Sequence, residues 1–185
     1  MKTLKTILIL FFILKLQYTE AQKTEIDKNF FFLGTLSDYI GRSKCNCELD
    51  VVDYYYKYEI SLLKYNYDNL KRDYPNLYID SVKLCLKSES LTKVINEKYD
   101  FKYNDGFCSN KEDERGNPID SCFVGILKKD LFKSKIEKTS YLIGAYTRYG
   151  IESKDGFCIN IANSESTFSV FVNLLKDLDC TILKI

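Results

Sequence analysis

The hexapeptide D-G-F-C-x-N occurs twice, at residues 105–110 and 155–160. The likeness extends upstream, where Tyr99 matches Tyr149, Lys98 matches Arg148 and Phe101 stands where Ile151 stands. A segment used twice at a fixed offset points to one supersecondary unit built twice, which restricts the architectures open to the chain. Two local structures satisfy it. Gly106 and Gly156 can be left-handed caps closing two helices, with Phe107 and Phe157 folding back onto Phe101 and Ile151. Alternatively, the Asp-Gly pairs are tight turns of two short hairpins. The cap reading explains why the upstream apolar position repeats together with the Phe, and is the primary expectation. A catalytic reading of Cys108 or Cys158 is weak, because a thiolate nucleophile needs a base beside it and the chain has no histidine.

Residues 1–21 have the layout of a secretory signal peptide. Lys2 and Lys5 precede an unbroken apolar run at 7–14, and Thr19 and Ala21 supply small residues at a cleavage site. That run is shorter than the ~20 residues that span a bilayer, so the expectation is a secreted, extracellular protein with no membrane span. Residues 22–44 then read as a loosely structured lead-in, and 45–185 as a single cysteine-stapled domain. The seven cysteines (Cys45, Cys47, Cys85, Cys108, Cys122, Cys158 and Cys180) all follow the leader. In an oxidising compartment they are expected to pair, Cys158 with Cys180 among them. Seven is odd, so one thiol is left over, buried or available for a disulfide-linked dimer. Their spacing lacks the paired C-x-x-C of zinc sites, and no metal or cofactor is implied.

Helical periodicity is the main local signal. Over 49–72, Val52, Tyr55, Tyr56, Ile60, Leu63, Tyr67 and Leu70 form one stripe at 100° per residue. Tyr54, Tyr58, Leu62 and Tyr65 form a second, and Asp53 falls with lysines on a charged face. Ser88 or Ser90 caps a further helix, Asn117-Pro118 opens another through Ile126 and Leu127, and Asn163 or Ser164 caps the last. The predicted fold is therefore mainly α: a disulfide-stapled helical domain with an internal two-unit duplication. The alternative is α+β with short hairpins at both DGFC motifs.

Composition excludes more function than it supplies. Without histidine, His-dependent hydrolases, ribonucleases and zinc centres are ruled out. With 27 basic and 26 acidic residues mixed along the chain, there is no electrostatic case for nucleic acid. Carboxylate-only hydrolysis survives through clusters such as Glu48, Asp50 and Asp53, or Asp113 with Glu114. The chain is thus expected not to be an enzyme but a secreted binding protein of effector, venom or salivary type. Tyr54, Tyr58, Leu62 and Tyr65 would be its contact surface for an extracellular protein partner. The alternative is a carrier of a small apolar ligand in an aromatic-lined pocket, and a carboxylate-dependent hydrolase is third.

Overall fold

The computed structural model describes residues 25–37, 42–45, 49–103, 122–154, 156–160 and 165–182. Among them the chain is mixed rather than mainly α, with five α-helices and three small antiparallel sheets. Helix α1 (Lys28–Thr35) starts where Asp27 accepts from the backbone N–H groups of Asn29 and Phe30. Strands β1 (Arg42–Cys45) and β2 (Val51–Tyr54) follow, then a 3₁₀ turn (Lys57–Glu59) and α2 (Ile60–Leu70). Next come β3 (Tyr78–Asp80), β4 (Cys85–Lys87), α3 (Glu89–Asn96) and β5 (Tyr99–Tyr103). The chain closes with β6 (Cys122–Leu127), α4 (Lys135–Tyr149), the strands β7 (Gly150–Ser153) and β8 (Gly156–Ile159), and α5 (Glu165–Asp177). The sheets run β1-β6-β5, β2-β4-β3 and β7-β8. No helix among the described residues is long and apolar enough to cross a membrane.

Four expectations are corrected. Within 22–44, expected to be a loose lead-in, α1 buries Phe31, Phe32 and Leu33 against α4, and Phe32 and Leu33 join the main core with Val52, Leu70, Leu86 and Tyr141. The helix expected over 49–72 exists only from Ile60, because Val51-Val52-Asp53-Tyr54 is a β-branched and aromatic run that pairs with β4 instead. In a tract this rich in tyrosine, helical spacing arises without a helix. The same correction applies to 122–127, where Phe-Val-Gly-Ile-Leu forms the central strand of its sheet. Third, Gly156 is no helix cap: it opens β8 opposite Ser153, and β7 and β8 form a hairpin with a two-residue loop. Helix α4 instead ends at Gly150, whose backbone is extended. The first DGFC motif, including Gly106, Phe107 and Cys108, lies outside the described residues.

The disulfide staple is the fourth correction. No disulfide is present among the described residues, and Cys85, Cys158 and Cys180 are all free thiols. Cys85 is sealed inside β4, where no second sulfur reaches it, while Cys158 and Cys180 are exposed. The fold here is held by burial and by buried polar bonds. Cys45 and Cys122 are opposite one another in the β1–β6 register, and Cys47 lies outside the described residues.

Candidate functional site

Among the described residues, the densest cluster of charged groups is assembled around Arg148, in the last turn of α4. A β-bulge in β2 prepares it: the register steps between Val51 and Asp53, so Val52 and Asp53 are both buried. That turns the Asp53 carboxylate inward. Its Oδ1 accepts from the Ser37 backbone N–H at 3.1 Å, and its Oδ2 accepts from Arg148 Nη1 at 2.6 Å. The Arg148 and Asp53 side chains are only 2% and 3% exposed.

Every N–H of the guanidinium is used. Nη1 also donates to the Thr35 carbonyl at 2.6 Å, Nη2 to the Tyr54 carbonyl at 2.7 Å and to Glu59 Oε2 at 3.0 Å, and Nε to Glu59 Oε1 at 2.9 Å. Glu59 is held in turn, since its Oε2 also accepts from the Tyr56 backbone N–H at 2.8 Å. The rings of Tyr55 and Tyr149 flank the cation at 4.9 and 5.6 Å. A second buried cation, Arg42, donates to Asn96 Oδ1 and to the Val52 carbonyl at 2.9 Å each. Two arginines and two carboxylates thus form a charge-balanced quartet, in which Arg42 acts on Asp53 through its field and not through a direct bond.

Burial shapes the ionisation of this group. It raises the Asp53 carboxyl above the usual carboxylate range even though Arg148 and Arg42 pull it down. It also pushes the Tyr55 phenol well above its ordinary value, with the Asp53 charge adding to the effect. For Arg148 burial acts downward, but Asp53 and Glu59 more than reverse it and hold the guanidinium charged.

Beside the quartet is a cavity of about 180 Å³. Leu33, Gly34, Leu36 and Ser37 from the end of α1 form one side, and Tyr141, Arg148 and Tyr149 of α4 another. Tyr99, Thr167 and Phe171 add to the wall, with Asn160 after β8. Tyr56, Tyr58 and Glu59 complete it. The Tyr149 hydroxyl donates to the Leu36 carbonyl at 2.9 Å, tying two walls together. Tyr56 and Tyr58, 65% and 82% exposed, stack with ring centroids 5.4 Å apart and planes 9° from parallel.

The four tyrosine-stripe residues are scattered by the change from helix to strand. Tyr54 is on β2 and gives Arg148 its carbonyl, Leu62 packs partly buried on α2, and Tyr65 meets Phe31 edge-on at 5.5 Å. Of the four, only Tyr58 lines the cavity. Phe157 and Cys158 of the second DGFC are exposed on the hairpin, Phe157 edge-on to Tyr146 at 5.3 Å, while the Asn160 that ends the motif reaches the cavity. Asp50 is paired with Lys87 at 3.1 Å, and Glu48, Asp113 and Glu114 lie outside the described residues. Sequence reasoning missed Arg148 and Glu59, and placed Asp53 on a solvated face. A signal was available in V-V-D-Y-Y, where a lone acid sits inside an apolar strand-forming run, and such an acid needs a buried partner. No family model matches the chain, and neither a curated protein nor a solved structure shows significant similarity to it.

Proposed function

We propose that this protein binds a small, largely apolar molecule in the tyrosine-lined cavity, and that it does so outside the cell that makes it. One observation carries the reading: a cavity of about 180 Å³ walled by five tyrosines, a phenylalanine and two leucines. Ligand sites are concave and mostly apolar, with a few fixed polar groups, and this wall has that make-up. The volume is slightly above the ~150 Å³ apolar cavity that accommodates benzene. A ligand of about nine non-hydrogen atoms, at roughly half the −1.5 kcal/mol-per-atom ceiling, would bind near ten micromolar. Extracellular action rests on the leader at residues 1–21, with its basic start and short apolar run.

Titration with indole, followed by ligand-observed NMR and by the shift in melting temperature, tests the proposal. Binding should be saturable and should disappear in Ser37→Trp, which fills the cavity from an exposed side chain and keeps the backbone N–H that Asp53 needs. No saturable binding up to millimolar indole would end it. A second reading, docking of an extracellular protein partner, draws on the stacked, exposed pair Tyr56 and Tyr58, since tyrosine is enriched where partners anchor. Indole binding with no protein captured by the exposed pair favours the first reading over the second.

A further inference from the structure

We propose that the cavity selects neutral, flat ring compounds and rejects charged ligands of the same size. This deepens the cavity reading above and rests on it. Among the described lining residues only Glu59 and Arg148 carry charge, and they are bound to each other at 2.9 and 3.0 Å.

Neither offers a ligand an unopposed charge. Arg148 has five N–H groups, and all five are spent on Asp53, Glu59 and the carbonyls of Thr35 and Tyr54. An incoming anion would have to strip away one of these partners, leaving a buried acceptor unpaired. Glu59 has both oxygens on Arg148, and Oε2 also holds the Tyr56 N–H. An incoming cation would find the remaining Oε1 lone pair already opposed by the guanidinium charge beside it, so it gains little there. Most of the wall is ring surface. Tyr149, for example, spends its hydroxyl on the Leu36 carbonyl and brings its ring to the cavity. Aromatic side chains favour an aromatic guest through edge-to-face and offset contacts. With a volume just above that which holds benzene, the guest is a single substituted ring or a small fused pair.

The test is a matched series on the full chain at pH 7: p-cresol, benzoate and benzylammonium, titrated by calorimetry, with indole as a second neutral ring. The expected result is p-cresol binding at least tenfold more tightly than either ion. Benzoate or benzylammonium within tenfold of p-cresol overturns the selectivity while leaving the cavity reading standing. Failure of p-cresol and indole alike overturns the cavity reading itself. Glu59→Gln adds a gain-of-function arm, because it leaves part of the Arg148 charge unopposed at the wall. The benzoate-to-p-cresol affinity ratio should rise at least tenfold, and an unchanged ratio overturns the assignment of neutrality to this pair. If that variant does not fold, the wild-type series decides alone.

Discussion

Gly34 of α1 lies so close to Tyr141 of α4 that a methyl group on the glycine would sit 2.1 Å from the tyrosine carbonyl oxygen. The relationship is reciprocal, since a methyl group on Gly144 would sit 2.0 Å from the Phe31 carbonyl oxygen. The obstacle is backbone in both cases, which cannot rotate aside, so the helices would have to separate. Gly34→Ala and Gly144→Ala are each expected to destabilise the protein by about 2–4 kcal/mol, at or above the usual cost of overpacking. Thermal melts check this. A variant melting within a degree of wild type would show that the helices do not touch there.

Removing the cation at the quartet should be more damaging. Arg148→Met leaves Asp53 and Glu59 buried without their partner, an expected loss of about 3–5 kcal/mol at pH 7. The pH dependence has a definite sign. Burial already raises the Asp53 carboxyl, and losing Arg148 raises it further. A carboxyl raised in the folded state contributes stability that is present below its unfolded value of about 3.9 and lost as pH rises through its folded value. The deficit of Arg148→Met should therefore shrink as pH falls from 7 toward 4. Denaturant melts across that range that show a constant or growing deficit would contradict it.

Cysteine reactivity gives a direct readout of the fold. Cys158 and Cys180 are exposed, whereas Cys85 is sealed in β4 and burial, with Asp80 nearby, raises its thiol above the ordinary value. Iodoacetamide under native conditions should label the first two and spare Cys85 until denaturant is added. Peptide mapping that found Cys85 labelled as fast as Cys158 would place β4 at the surface.

Tyr58 separates binding from stability. At 82% exposure it contributes little buried area, so Tyr58→Ala should shift stability by no more than about 0.5 kcal/mol. Indole affinity should nonetheless fall severalfold, since the ring forms part of the cavity wall. A sharp drop in melting temperature would mean that the ring is core.

Local chemistry was readable where one residue decides it. A cap at Ser88 or Ser90 was expected, and Ser88 does accept from the Leu91 N–H, at 3.3 Å. The capping box Ser134–Glu137 was equally available as S-x-x-E and opens α4. What failed was periodicity in aromatic-rich tracts: Val52, Tyr55 and Leu63 fit one helical stripe on paper but belong to a strand, its exit and a helix. Pairing between distant strands decided that, and no local pattern encodes it. The site was hidden for the same reason. Asp53, Glu59 and Arg148 look like surface charges until β2, the 3₁₀ turn and α4 are brought together.

The quartet also sets an order of events in folding. Arg148 closes contacts with Thr35, Asp53 and Glu59 that lie 113, 95 and 89 residues earlier in the chain. Loop closures of that span come late and slowly, after local helices and hairpins have formed. As the chain emerges from the ribosome, both carboxylates must wait in water until α4 arrives. A chain interrupted before Arg148 therefore lacks the cation that pairs with both, and with it the cavity walls that Arg148, Tyr149, Thr167 and Phe171 supply.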